Sequence, residues 1–225
     1  MVPFRAFPLR SFRGQLTLWF GSLSLVILLC VGLYVGRLAT LQVASSAGAS
    51  LHAVALTAAD LLGAGLRERE LEIVLLSQAP HFTRGDLEHP DVLQSLRRRQ
   101  ALREEFAWLG VIDAQGTVVQ AVDGILQGQS VAQRPWFIAA RSGVYVGDVH
   151  DALLLEQLLP KPPSGEPLRF IDYAAPLRNA RGELIGVVGA HVHWRWATQT
   201  VQAAFDQNPA AKTGRAEILI ANAQG

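Results

Sequence analysis

Cysteine is almost missing: Cys30 is the only one in 225 residues. That excludes both a disulfide framework and a cysteine-based zinc site. Acidic residues are missing from the first 37 positions, where Arg5, Arg10, Arg13 and Arg37 stand alone. Beyond Arg37 the balance reverses, with 16 basic residues against 19 acidic. The two parts of the chain therefore suit different compartments. The formal net charge of +1 gives no global field for nucleic acid. Charged residues make up only 17% of the chain while 50% is apolar, which excludes an intrinsically disordered protein. What remains is enough chain to bury the core of one or two domains.

Charge is also missing from the 23 residues between Arg13 and Arg37. Within 16–35, 15 of 20 residues are apolar, and the exceptions are Gly, Ser and Thr. Twenty helical residues span about 30 Å, the thickness of a bilayer's hydrocarbon core. Trp19 and Tyr34 stand near the two ends, as interfacial aromatics do. Three arginines precede the span and Arg37 closely follows it. The positive-inside bias thus keeps residues 1–13 cytoplasmic, sets the membrane helix at 14–36, and exports the chain beyond it. The competing reading is a cleaved signal peptide with Ala44-Ser45-Ser46-Ala47 near its cleavage site. An apolar region of about 7–15 residues is usual for a signal, and this one is longer.

Proline is missing from 38–78, and the pattern there reads as one long helix. Leu41, Ala44, Gly48, Leu51, Ala55, Ala58, Leu62 and Gly65 alternate three- and four-residue steps, a heptad-like seam of small residues and leucine. It suits packing on the protein's own sheet, or parallel pairing with a second copy, or each along a different length. Arg67-Glu68-Arg69-Glu70 reads as a solvated stretch. Ala79-Pro80 ends the helix, and His89-Pro90-Asp91 starts another that runs to Phe106. Arg97, Arg98, Arg99 and Arg103 on that second helix read as a solvated face.

After Trp108 the period becomes strand-like. Leu109–Ile112, Asp113-Ala114-Gln115-Gly116 and Thr117–Val122 read as strand, tight turn, strand. The device returns at Asn179-Ala180-Arg181-Gly182 between 170–177 and 184–192, and again at Asn222-Ala223-Gln224-Gly225 after 217–220. Asp, Asn and Gly tolerate the left-handed geometry such turns need. The third copy reads as the opening of a second module. This places the first module at 79–205, and a linker with the first strand of a truncated second module at 206–225. A chance recurrence of a common turn is the other reading.

Ser130-Val131-Ala132-Gln133-Arg134-Pro135-Trp136-Phe137, followed by Ala139-Ala140 and Gly143, resembles the extracellular double Cache sensor domains of bacterial receptors. Their PAS-like modules carry an Arg-x-Trp-Tyr/Phe stretch. Ile185-Gly186-Val187-Val188-Gly189 resembles their terminal Gly-Val-Val-Gly strand. The likeness covers roughly residues 38–225 and implies an α+β fold. Its parts are an N-terminal transmembrane helix, a long periplasmic helix, a PAS-like antiparallel sheet module and the start of a second module. In amino-acid-binding members the arginine holds the ligand carboxylate and the aromatics wall the pocket, which maps these roles onto Arg134, Trp136 and Phe137. A guanidinium sheltered by rings pairs bidentately with a planar carboxylate. The family's other pocket positions fall on Gln129, His150 (with Asp148 and Asp151 beside it) and His191. His191 stands where an aspartate would hold an ammonium. The resemblance therefore implies a carboxylate-bearing ligand and not an α-amino acid.

Strand alternation puts Val187, Gly189, His191 and His193 on one face, and Val188, Ala190, Val192 and Trp194 on the other, toward the long helix. His191 and His193 with His150 and Asp148 or Asp151 could bind Zn²⁺ or Ni²⁺. Pocket hydrogen bonding or plain surface placement accounts for them equally, so no metal is assigned and no cofactor is expected. No Gly-x-Ser-x-Gly elbow, His-Glu-x-x-His or phosphate loop occurs, so no catalytic residue is assigned. The expected function is an inner-membrane, extracytoplasmic sensor of a small molecule that signals through the long helix, as a homodimer, with no nucleic-acid partner. The resemblance implies an output domain such as a diguanylate cyclase, absent from these residues. The alternatives are the sensor of a histidine kinase or chemoreceptor, an anchored periplasmic metal-binding protein, or a hydrolase.

Overall fold

The structure is a computed structural model that describes residues 12–151, 153–159, 167–207 and 219–220. Its first element is helix α1, Phe12–Ser77, 66 residues without a break. No proline interrupts it until Pro80, and at 1.5 Å per residue it runs about 100 Å. The apolar stretch of 16–35 is wholly exposed, and this helix is long and apolar enough to cross a membrane. Farther along, Val54, Ala58, Arg69, Ile73 and Leu76 are buried against the rest of the chain.

The expected seam therefore divides. Ala58, Leu62 and Gly65 meet the module, whereas Leu41, Ala44, Gly48, Leu51 and Ala55 lie bare or nearly so. The solvated reading of 67–70 fails at Arg69, which is only 6% exposed. Its Nη2 donates to Glu105 Oε1 at 2.7 Å and its Nη1 to the Gly65 carbonyl. Its guanidinium lies 3.8 Å from the Trp196 ring centroid.

Two short helices come next. Pro80 opens α2, Pro80–Thr83, and α3 is Pro90–Leu102, capped by the His89 ring, whose Nδ1 accepts from the Asp91 N–H. The expected run to Phe106 is corrected here. Phe106 and Trp108 instead pair with Val192 and His191 across a strand, and an aromatic pair able to join a sheet ladder does so. Nor are all the arginines of this region simply solvated. Arg99 binds Glu72 at 2.8 Å, and Arg103 binds Glu68, which ties α3 to α1.

The sheet comprises β1 Phe106–Asp113, β2 Val118–Ala121, β3 Tyr145–Val146, β4 His150–Asp151, β5 Arg169–Arg178 and β6 Leu184–His193. Its order is β2-β1-β6-β5-β3, with β4 also pairing β5, and every pairing is antiparallel. Helices α4 Pro135–Ala140, α5 Leu153–Leu158 and α6 Arg195–Asp206, with one turn of 3-10 helix at Val122–Gly124, complete the described elements. Two turns use one device. Asp113 Oδ1 accepts from the backbone of Gln115 and Thr117, and Asn179 Oδ1 from that of Arg181 and Glu183. Gly116 and Gly182 take the positive φ that each turn needs. The third turn, at 222–225, and most of the expected second module lie outside the described residues.

Alternation gives each sheet face its own core. Ile171, Tyr173, Ala175, Leu177, Val188, Ala190 and Val192 pack with Ile73 and Leu76 of α1, as expected for the apolar side of β6. Trp108, Ile112, Phe170, Ala174 and Val187 pack with Trp136 and Phe137 of α4. The fold is α+β, with the end of the long helix on one face of an antiparallel sheet and α4 on the other.

Candidate functional site

The site lies on the α4 face and is set by strand register. Asp172 of β5 stands opposite His191 of β6, and His191 stands opposite Trp108 of β1. One row across three strands thus reads carboxylate, imidazole, indole. The next row in one direction is Ala174, Gly189 and Gly110, which have little or no side chain. That shallow strip admits two indoles. A Cβ on Gly110 would come within 2.4 Å of the Trp108 ring, and one on Gly189 within 3.0 Å of Trp136. Trp108 is fixed by donation from its Nε1 to the Ile125 carbonyl at 2.9 Å. Trp136 is set by the first turn of α4, where Pro135 starts the helix with its φ already helical.

The rings enclose His191. Its centroid lies 5.2 Å from Trp108, 6.0 Å from Trp136 and 6.2 Å from Phe170. His191 Nδ1 makes a short contact with Asp172 Oδ1. On the other carboxylate oxygen, His150 Nε2 stands 3.4 Å from Asp172 Oδ2. His150 reaches it from β4, whose register sets it opposite Phe170. The second nitrogen of His150, Nδ1, lies 3.1 Å from the Asp148 carbonyl. A carbonyl only accepts, so Nδ1 carries the hydrogen of that bond. Asp172 and His191 are buried, while His150 is half-buried and forms the solvent side of the cluster.

The sequence-derived residues divide accordingly. Trp136, Phe137 and His191 are buried together with the cluster, and His150 joins it. Arg134 is not sheltered: it is exposed at the N-cap of α4, and its guanidinium forms no hydrogen bond or ion pair among the described residues. Gln129 is exposed in the loop before it, engaged through backbone bonds with Leu126 and Val118. Asp148 is exposed and contributes its carbonyl, and exposed Asp151 pairs with Arg169 at 3.8 Å. His193 leaves the cluster for the Phe170 ring at 4.8 Å, where burial and then Arg195 hold its pKa below the usual histidine range.

Asp172 was missed. Its signal is a lone carboxylate inside the apolar run Phe170-Ile-Asp-Tyr-Ala-Ala, where an unpartnered charge would be costly. Its presence also removes the premise that no carboxylate faces this site, on which exclusion of an amine-bearing ligand rested.

On the opposite face, burial raises the Tyr173 hydroxyl to a pKa of about 12. A separate hollow of about 530 Å³ lies against α3, lined by residues that include His81, Asp91, Gln94, Ser95, Arg98 and Arg99.

The chain matches no family model and no curated protein by sequence. Its fold is similar to solved ligand-binding domains. An extracellular ligand-binding receptor from Desulfohalobium retbaense aligns with a TM-score of 0.54 at 13% identity, over 69% of this chain and 27% of that one. The ligand-binding domain of the Pseudomonas fluorescens chemoreceptor CtaA, solved with L-alanine, aligns with a TM-score of 0.51 at 21% identity, over 68% of this chain and 62% of that one. That of the Pseudomonas aeruginosa chemoreceptor PctC, solved with GABA, gives 0.49 at 18% identity, over 69% and 64%. The chain thus spans less than two thirds of the length of each. At these identities the likeness is one of fold, and it is the α+β fold expected from the Cache resemblance.

Proposed function

We propose that this chain is the membrane-anchored, extracytoplasmic sensor part of a signalling receptor. The observation that carries the reading is the continuity of α1. One helix holds the apolar stretch of 16–35 at one end and buries Ile73 and Leu76 in the sheet core at the other. A displacement of the sheet module relative to α1 therefore has a rigid path to the membrane. Arg69 adds a second connection, since it joins α1 to Glu105 beside β1 and to Trp196 of α6. Such coupling requires a ligand that favours one of two arrangements over the other.

Recognition is assigned to the α4 face. The exposed, unengaged Arg134 is the cation assigned to a small carboxylate-bearing molecule and half-buried His150 a hydrogen-bonding group for it, while buried Trp136 and Phe137 anchor α4 on the sheet. The CtaA domain, solved with L-alanine, supports a small-molecule ligand. The sensor reading places any output activity, cyclase, kinase or chemoreceptor in kind, in polypeptide other than these residues, and gives the chain itself no catalytic role. The bare upper seam of α1 is assigned to pairing with a second copy.

The test uses the chain in lipid nanodiscs with a spin label on Cys30 and a library of small carboxylates. A compound that raises the melting temperature and changes the spectrum at Cys30 supports the reading. Compounds that bind without any change at Cys30 refute the coupling. Arg134→Ala should remove ligand stabilisation while changing the stability of the free protein by less than about 0.5 kcal/mol, as is usual for an exposed side chain.

A further inference from the structure

We propose that His150, Asp172 and His191 form a binding site for one divalent transition-metal ion of the zinc class. The proposal stands on these three side chains and not on the receptor reading. One ligand atom from each converges, all within 4.8 Å of one another. With metal–ligand bonds of about 2.0–2.2 Å, two donors on a four-coordinate ion stand about 3.4 Å apart. His150 Nε2 and Asp172 Oδ2 are 3.4 Å apart.

The hydrogen bonding prepares the donors. With Nδ1 of His150 donating to the Asp148 carbonyl, Nε2 is the nitrogen left facing the Asp172 carboxylate. A cation between that nitrogen and the carboxylate oxygen accepts a lone pair from each. A ligating histidine whose other nitrogen is tied to a backbone carbonyl is the usual outer arrangement of a metal site. On binding, Asp172 exchanges its contact with His191 for a bond to the ion, and the hydrogen on His191 Nδ1 moves to Nε2. Two nitrogens and one oxygen select a borderline ion over Mg²⁺ or Ca²⁺, which take oxygen donors. The walls of Trp108, Trp136 and Phe170 exclude water on the sheet side, while half-buried His150 leaves the solvent side open. The fourth position is then free for water or for a small exogenous ligand.

This set differs from the combinations that the sequence offered. His193 lies against Phe170, and Asp148 and Asp151 are exposed and not among the converging donors. Asp172, brought in by register, takes their place.

The experiment titrates the full chain, tag-free, chelator-stripped and in nanodiscs, with ZnCl₂ by calorimetry and with Co²⁺ by absorbance. One Zn²⁺ per chain, a higher melting temperature, and the intense ligand-field bands of four-coordinate Co²⁺ are expected. Asp172→Asn and His150→Gln should each weaken binding more than about 100-fold, beyond the 10–100-fold typical of outer-sphere partners. His193→Gln should leave binding unchanged. No stoichiometric binding, a Co²⁺ spectrum like that of the aqueous ion, or Zn²⁺ binding retained by Asp172→Asn and His150→Gln would each overturn the site. The stoichiometry and spectrum of the unaltered protein decide the matter even if a variant misfolds. A carboxylate that stabilises the protein, together with no stoichiometric Zn²⁺ binding, would leave the sensor reading standing and this one refuted.

Discussion

Gly110→Ala tests the packing that builds the site. The added Cβ would meet three atoms of the Trp108 ring at 2.4, 2.6 and 3.2 Å. The ring has little room to yield, since Trp108 is 1% exposed and its Nε1 is bonded to the Ile125 carbonyl. Overpacking a filled core costs about 1–3 kcal/mol, and losing the indole hydrogen bond costs about 1 kcal/mol more. Alanine recovers about 0.5–1 kcal/mol of backbone entropy relative to glycine in a strand. The net expectation is a loss of about 1.5–3 kcal/mol. Gly189→Ala is the internal comparison, because its nearest atom lies at 3.0 Å on Trp136, and about 1 kcal/mol suffices there. Urea unfolding in detergent, followed by near-ultraviolet circular dichroism, gives both values. Equal stabilities for Gly110→Ala and the unaltered protein, or a larger loss at Gly189, would refute the account of a strip cleared for two indoles.

Arg69→Ala should destabilise the module by about 2 kcal/mol, because it leaves Glu105 with only Arg103 at 3.7 Å and removes the cation from the Trp196 face, and hydrogen exchange should show α6 loosened. Glu68→Ala breaks only an exposed pair and should cost less than about 1 kcal/mol in the same unfolding assay. Burial holds the His81 pKa below its ordinary 6.5, and its Nε2 is buried without a hydrogen-bond partner among the described residues. Below about pH 6.5 the unfolded chain takes up a proton that the folded one refuses. The stability tied to a neutral His81 is therefore present above that pH and lost as pH falls toward the folded value. His81→Phe should flatten the dependence of the urea midpoint between pH 7.5 and 5. Finally, the alternating steps of the α1 seam, carried back from Leu41, pass through Arg37, Tyr34 and Cys30. Iodine oxidation in membranes should join two chains through Cys30, whereas a monomeric band would count against pairing along that seam.

Much of the fold was legible because local chemistry dictates it. The proline-free, apolar N-terminal run could only be a long helix, and Pro80 and Pro90 punctuated the chain after it. Asp113 and Asn179, each three residues before a glycine, marked turns that fold through their own side-chain oxygens. The faces of β6 came from period-two alternation, and His191 was placed correctly by it. The end of α3 was misread because Phe106 and Trp108 suit a helix as well as a strand until β6 arrives to pair with them. Arg69 was misread for a similar reason. A run of alternating charges looks solvated, and only the arrival of Glu105 and Trp196 makes burial of one of them tolerable.

By itself, then, the sequence determined the long first helix, the start of α3, the two Asx-type turns with the strands beside them, and which end of the chain suits a membrane. Those properties depend on residues within a few positions of one another. Only the tertiary structure decided that Asp172 and not Asp148 or Asp151 stands between two imidazoles, and that Arg134 faces solvent. The register of β5 against β6 and the position of β4 set those contacts, and they join residues 19 and 22 positions apart. A strand shifted by one residue would turn its side chains to the other face, so the chemistry of the site depends on a pairing that local sequence leaves open.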